Sequence, residues 1–592
     1  MRPKVLAGAL VLTASLGAVS AAPPRTGHLR VNLAGYRPAD RKVVVLFAES
    51  PVKGWFVVRA ENAANPPLRA RIPPRSTGAW GRFPHHYALD VSALREPGTY
   101  VLEAAGTSAR FEVAADALRE WPGYFLEYLR QQRCGYNPFL DTVCHPFDGR
   151  TAYGPRPAGT YVDARGGWHD AGDQLKYLIT SSNATAQLLL AWQLRPSAFD
   201  DRVDALGRLA PNGDPDVLDE ARWGLEWMLR LHPAPDELYH QVADDRDHIG
   251  WKLPQEEQSD YGWGKGGYRV VYAADGRPQG LGRFQSASTG VANLAGRYAA
   301  AMALAHQVWK DHPRHRAFAA RCLQAGREVY ELGRRQEGFQ QGNSFGAPYR
   351  YNEDTWADDM EWGAAELFKA TGERRYLAEA LHYARVIGAT SMVGRDAAEH
   401  YQFYPFTNAG HFALHPLVEG AAREELADFY RANLEAAQRR ADGNPYAVGV
   451  PFLWCSNNLA VALATQALMY ERMTGDARFR PLAEAQRDWL LGRNPWGTSM
   501  FSLVPEGAES PVNVHLSVTH LSGRGVRGGL VDGPVYAKIF ASLEGVTMTE
   551  PDVFADFQGE AVYHDDVMDY SSNEPTMDGT ASALLLFALA DP

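Results

Sequence analysis

The chain has 592 residues, 45% hydrophobic and 22% charged, with a formal net charge of −11. This composition excludes a disordered protein, and the length exceeds one ordinary domain, so at least two are expected. The negative balance argues against nucleic acid or an anionic membrane as partner, and four cysteines in so long a chain do not make a disulfide scaffold.

The chain opens like an export signal. Arg2 and Lys4 precede an apolar run over residues 5–19, and Val19-Ser20-Ala21 supplies small residues for cleavage, so residues 1–22 form a candidate signal peptide. The run is too short for a typical membrane span, and no later stretch has a transmembrane pattern. The expectation is an exported protein, secreted or periplasmic, with no membrane and no nucleic acid as partner.

Residues 28–113 are strand-like. Val43-Val44-Val45-Leu46-Phe47, Trp55-Phe56-Val57-Val58 and Thr99-Tyr100-Val101-Leu102-Glu103 are β-branched or aromatic runs, separated by turn residues such as Gly54 and Pro97-Gly98. Spacing of this kind predicts a small β-sandwich over residues 26–115, which we take as a packing module rather than a sugar binder. Over residues 116–592 the period changes. Asp214-Pro215 suggests a helix start, with Asp as N-cap and Pro in the first turn, and Val217, Leu218, Ala221, Leu225, Met228 and Leu229 then share one face. Helical segments recur near 117–132, 173–194, 287–310, 359–371, 375–388, 421–441, 454–474, 477–491 and 578–590. Many helices with long irregular connections suit a toroid of helical hairpins, an inner ring wrapped by an outer one, with function carried on the connections.

The densest chemistry lies at Gly166-Gly167-Trp168-His169-Asp170-Ala171-Gly172-Asp173-Gln174-Leu175-Lys176-Tyr177. Two Asp behind glycines on a turn can hold one water between them, and one can take its proton; the plainer alternative is a turn that caps the next helix. A second acidic cluster, Tyr563-His564-Asp565-Asp566-Val567-Met568-Asp569-Tyr570-Ser571-Ser572-Asn573-Glu574, precedes the last helix. Glycoside hydrolysis needs one carboxylic acid and one carboxylate on opposite sides of the bond, and Glu574 and Asp173 would fill those roles; a solvated acidic loop is the alternative for this cluster. Cys134, Cys144 and His145, with His169 as fourth ligand, suit tetrahedral zinc, against a Cys134–Cys144 disulfide or two free thiols. Thr355, Asp358 and Asp359 at a helix start suit calcium, against simple N-capping. Cys322 and Cys455 fall in apolar helical patterns as core residues. Trp168, Trp251, Tyr261, Trp263, Tyr349 and Trp356 are candidate sugar platforms, each against plain core packing, which is the commoner role; Trp263 is favoured by its place among glycines, and Trp168 by its place in the 166–177 segment.

Together these motifs resemble family 9 glycoside hydrolases, the inverting cellulase family, over nearly the whole chain. Val31-Asn32-Leu33-Ala34-Gly35-Tyr36 is similar to the immunoglobulin-like domain that precedes many such catalytic domains, and Arg133-Cys134-Gly135, Cys144-His145, the 168–177 segment, Asp219-Glu220, Gly492-Arg493-Asn494-Pro495 and Asn573-Glu574 stand in the family's order. The resemblance implies an immunoglobulin-like β-sandwich followed by an (α/α)6 toroid. It also implies a hydrolase of β-1,4-glucosidic bonds in cellulose-type glucans, with Asp173 as general base, Asp170 holding the same water and Glu574 as general acid. Tyr570, His515, Trp168 and Trp263 would bind substrate. The implied metals are structural zinc and calcium, with no organic cofactor.

There are departures. Asn513-Val514-His515-Leu516-Ser517 keeps a histidine and carries Ser517 where the family has arginine, and Thr580 stands where asparagine is common. The segment 569–580 resembles the exo-acting branch, so exo-release of glucosyl or glucosaminyl units is the alternative within enzymes. A non-catalytic carbohydrate-binding protein is a remoter one, and the presence of all three carboxylates argues against it.

Overall fold

The computed structural model describes residues 27–61, 68–280, 284–347, 349–394 and 401–590. The candidate signal peptide, residues 1–22, lies outside them.

Seven strands build the N-terminal unit: β1 (His28–Arg30), β2 (Val43–Ala48), β3 (Trp55–Ala60), β4 (Leu68–Arg71), β5 (His85–Asp90), β6 (Gly98–Ala104) and β7 (Thr107–Val113). They form two antiparallel sheets, ordered β1-β2-β5 and β4-β3-β6-β7. Alternation along the strands sends Val44, Leu46, Phe56, Val58, Leu89, Leu102 and Phe111 into the space between the sheets.

Fourteen α-helices follow among the described residues: α1 (Trp121–Gln131), α2 (Leu178–Leu194), α3 (Asp216–Arg230), α4 (Ala292–Trp309), α5 (Arg316–Arg335), α6 (Ala357–Thr371), α7 (Arg374–Ile387), α8 (Ala409–Leu414), α9 (Ala421–Asp442), α10 (Ser456–Thr474), α11 (Arg480–Leu490), α12 (Ser517–Ser522), α13 (Ala537–Phe540) and α14 (Met577–Ala590). Helices α2, α4, α6, α8, α10 and α14 pack each on the next and close a ring, with α14 against α2. These inner helices are buried almost all round, as in α4, where only the last turns reach solvent. Helices α1, α3, α5, α7, α9 and α11 are amphipathic and wrap the ring from outside.

The helices begin and end differently from the pattern in places. Residues 173–177 belong to a turn and the short strand Lys176–Tyr177, not to α2. Asp214 is not the cap of α3: its carboxylate binds Arg314 and His315, and Pro215 stands just outside the first helical residue. Helix α5 has no counterpart among the expected segments, because its regular buried stripe is made largely of small residues, Ala319, Ala325, Gly326 and Gly333; α8 is too short for a period to show.

The sandwich is fastened to the outside of the barrel by specific contacts. Asn32 Nδ2 donates to Asp488 Oδ1 at 2.9 Å, and Leu33 N–H donates to the Leu491 carbonyl at 2.7 Å. Trp80 sits edge-on among Tyr446, Phe452, Trp489 and Trp496, with its Nε1 donating to the Phe557 carbonyl at 3.0 Å. The 31–36 and 492–495 motifs therefore meet at this junction: Gly492 lies where any Cβ would strike Leu33, and Arg30 Nε donates to the Pro495 carbonyl.

Candidate active site

The connections that lead into the inner helices converge on one face of the barrel, so carboxylates placed just before α2 and α14 lie near helix N-termini, where the dipole favours negative charge. The turn before α2 is built first. Gly166 and Gly167 take φ of 95° and 75°, which side chains rarely allow, and a Cβ on Gly167 would stand 2.7 Å from the Trp227 ring. Lys176 then ties the turn down from inside: its buried ammonium donates to the Ala164 and Gly166 carbonyls at 2.7 and 2.8 Å and pairs with Asp148 at 2.7 Å. Trp168 lies beneath this turn with no solvent exposure, its Nε1 donating to Glu220 at 2.7 Å. Arg133 holds the same carboxylate with two bonds. Trp168 is thus a packing residue and offers no face to a sugar, contrary to the expectation from its place in the motif.

Asp170 and Asp173 both turn inward. Asp170 accepts from Thr180 Oγ1 at 2.5 Å and from the Tyr351 hydroxyl. Burial, then Asp173 and Asp578, push its carboxyl well above the usual range. Asp173 accepts from Leu175 N–H and from the Tyr349 hydroxyl, each at 2.8 Å, with His248 Nε2 3.6 Å away. Burial pushes Asp173 up, but His248, the Tyr349 hydroxyl and the Leu175 amide outweigh it, and the group rests below its ordinary value. Glu574 arrives from the other side, its Oε1 accepting from Gly172 N–H at 2.8 Å. Burial, then Asp532 and Asp173, raise it well above its ordinary value.

Around these three stands an aromatic wall. Tyr570 stacks on Trp454 with ring centres 5.9 Å apart and meets His515 edge-on; His515 contacts Trp251, which stacks on His520. His515 Nδ1 donates to the Val567 carbonyl at 2.6 Å, and burial lowers the ring to about 4, so it stands neutral. Ser517, in the place of the expected arginine, begins α12. Tyr349 is partly exposed beside Asp173, whereas Tyr261 is buried and Trp356 packs on Tyr383. Trp263 is half-buried beside Arg150 and Gly159. His248, Tyr351, Trp454 and Asp532 were not picked out from the sequence. The run Asp244-Asp245-Arg246-Asp247-His248 was a signal for the first, and a lone Asp532 inside an apolar, glycine-rich stretch was one for the last.

The cysteine–histidine set is gathered. Arg133 and Cys134 lie alongside Gly167-Trp168-His169, and the hairpin Tyr136–Asn137 to Thr142–Val143 brings Cys144 back to them. Cys134 and Cys144 are free thiols, so no disulfide joins them. All four donors are buried and within 4.8 Å of one another. Sγ of Cys134 is 3.6 Å from His145 Nδ1, Sγ of Cys144 is 3.8 Å from His169 Nε2, and the two nitrogens are 3.4 Å apart. A tetrahedron with Zn–S near 2.3 Å and Zn–N near 2.0 Å has edges of about 3.3–3.8 Å, so the set fits. His145 Nε2 faces Glu257 at 3.3 Å, as an outer carboxylate should. The calcium expectation finds no such support. The buried Arg297 guanidinium already holds Asp359 and Glu353, each at 2.7 Å, and supplies the positive charge there. Thr355 Oγ1, Asp358 Oδ1 and Asp359 Oδ2 are buried without a hydrogen-bond partner.

Residues 121–587 match the sequence model of glycosyl hydrolase family 9, and residues 25–109 that of the cellulase N-terminal ig-like domain. The chain belongs to glycosyl hydrolase family 9. It is similar to endoglucanase C of Cellulomonas fimi, 28% identical over 527 residues, which is 80% of this chain but 43% of that longer protein. It is also 26% identical over 547 residues to the xyloglucan-specific endo-beta-1,4-glucanase BoGH9A of Bacteroides ovatus, covering 86% of this chain and 85% of that one. The crystal structure of a metagenome-derived family 9 endoglucanase superposes with a TM-score of 0.76 at 25% identity, over 96% of this chain and 99% of that one. A Zn-binding triple mutant of the family 9 endoglucanase J30 shares the fold, at a TM-score of 0.73 and 22% identity over 94% and 99% of the chains.

Gly172 is the tightest point of the site: a Cβ there would stand 2.3 Å from the His515 carbonyl and 2.6 Å from Glu574 Oε1. Gly172→Ala should displace the Glu574 carboxyl and lower turnover at least about 100-fold, with a folded far-UV spectrum. Unchanged turnover would show that the close approach does not matter.

Proposed function

We propose that this protein is an inverting O-glycosyl hydrolase of β-1,4-linked glucans, a cellulase of the endoglucanase kind, with units at residues 26–115 and 116–592. The observation that carries this reading is the opposite setting of two carboxyls at one site. Asp173 is held ionised by a histidine, a tyrosine hydroxyl and an amide, whereas Glu574 is buried among other carboxyls with one amide donor. A pair pushed apart in this way supplies a base and an acid at one pH. Asp173 takes a proton from water shared with Asp170, the water attacks the anomeric carbon, and Glu574 protonates the departing oxygen. Tyr570, His515 and Trp251 line the sugar's path, and Trp263 serves a more distant part of it. Ser517 and Thr580 favour a second reading, exo-release of glucosyl or glucosaminyl units.

Asp173→Asn and Glu574→Gln should each lower turnover about 100- to 10,000-fold without loss of fold. Wild-type kcat/KM should be bell-shaped, with its acid limb below about pH 4 and its alkaline limb well above the ordinary glutamate value of about 4.3. NMR of the first-formed product should show the inverted anomer; retention would overturn the mechanism. On carboxymethyl-cellulose, mixed short oligomers with a rapid fall in viscosity support endo-action, and monomer alone supports the exo reading.

We further propose that Cys134, Cys144, His145 and His169 hold a structural zinc ion. It would brace the turn next to Asp170 and take no part in the reaction. Protein purified without added metal should carry about one zinc per chain, and its removal by a chelator should lower Tm. Metal-free protein with an unchanged Tm would refute the site.

Export of the chain is proposed on residues 2–21 alone. The mature protein should be recovered outside the cytoplasm without residues 1–22; an intact N-terminus there would refute it.

A further inference from the structure

Asp532 sits beside the candidate acid by construction. The strands Leu530–Val531 and Pro575–Thr576 pair antiparallel with Val531 opposite Pro575, and the next step places Asp532 opposite Glu574. Asp532 N–H donates to the Glu574 carbonyl oxygen at 2.8 Å, which fixes that register. Residues directly opposite on an antiparallel ribbon project from one face, with Cβ atoms about 4.5–5.5 Å apart, and like charges there repel. Asp532 is buried, with 4% exposure, and its Oδ1 accepts from the Cys455 thiol at 3.2 Å. Cys455 is therefore more than the core residue expected from the sequence: it stands at the N-terminus of α10 with φ of 58° and touches both Asp532 and the Tyr401 hydroxyl.

We propose that Asp532 is a positioning residue that keeps the Glu574 carboxyl protonated until the glycosidic oxygen is within reach. This rests on the reading of Glu574 as the acid. The two carboxyls share one proton across the working range, because ionising both would place two negative charges on one buried face. The groups around them do not relieve that repulsion. Glu574 faces Asp532, Asp173 and Asp170, with Tyr128, Tyr349, Tyr570 and the neutral His515 ring also near it. Asp532 faces Cys455, Asp578 and Asp569, with Tyr401 beyond the thiol. Each of these groups is acidic or uncharged. On cleavage the proton passes from Glu574 to the leaving oxygen, Glu574 becomes a carboxylate beside Asp532, and the proton lost by the attacking water restores the balance through solvent.

The test is Asp532→Asn, which keeps the shape and removes the charge, with Asp532→Ser as a second neutral variant should the first fail to fold. Two readouts are taken: the pH dependence of kcat/KM on cellohexaose, and the titration midpoint of Glu574 followed by carbon-13 NMR of labelled carboxyls. The alkaline limb and the Glu574 midpoint should both fall by about one pH unit or more, while the acid limb stays near wild type. An unmoved limb and midpoint, or an equal loss of rate at every pH, would overturn the proposal. Failure of the wild type to hydrolyse any glucan would overturn the acid assignment, and the midpoint would still decide whether Asp532 controls Glu574.

Discussion

The catalytic face hangs from the turn over residues 166–177, and that turn is held by a buried lysine inside its own sequence. Lys176 satisfies two carbonyls of the turn and pairs with Asp148, which Arg269 also binds at 2.7 and 2.8 Å. A buried ammonium without such partners would cost several kcal/mol, so the turn closes correctly or not at all. Its far end offers Gly172 N–H to Glu574, and its near end lays His169 against the thiols. One short segment therefore positions Asp173, receives the Glu574 carboxyl and completes the cysteine–histidine cluster.

The barrel explains why so many acidic groups are tolerated together. Asp170, Asp173, Asp532, Glu574 and Asp578 gather where α2, α10 and α14 begin, so amide donors and helix dipoles meet them. Neutral hydroxyls do most of the remaining satisfaction: Thr180 and Tyr351 on Asp170, Tyr349 on Asp173. Elsewhere the chain uses full charge pairing, as at Arg297 between Glu353 and Asp359, or Arg133 on Glu220.

How much of this was legible in the sequence depends on distance along the chain. The two Asp of the turn, the glycines around them and the Cys–His spacing are local features, and the sandwich strands announce themselves by β-branched runs. Inner helices such as α2 and α14 were legible as apolar segments. Helix α5 was not, since four of the seven residues on its buried face are alanine or glycine, which carry little apolar signal. Trp168 was misplaced because an aromatic next to a candidate base suggests a sugar platform, and only the pairing with Arg133 and Glu220 puts it underneath. Tyr351, Trp454 and Asp532 come to the site from separate connections when the ring closes, and no spacing rule connects them to residues 170–173.

The same closure gives the N-terminal sandwich its place. Its 31–36 segment docks on the end of α11 and on the 492–495 turn, through Asn32 on Asp488 and Leu33 on Leu491. Beyond that turn, residues 499–536 bring His515 and Asp532 to the stretch before α14, where their N–H groups donate to the Asn573 and Glu574 carbonyls at 3.0 and 2.8 Å. The sandwich thus braces the base of the segment that carries His515 and Asp532. That is a mechanical role for a domain whose described residues contribute no side chain to the carboxyl cluster, and it explains why the interface is made of specific hydrogen bonds and a buried Trp80 rather than a loose polar contact.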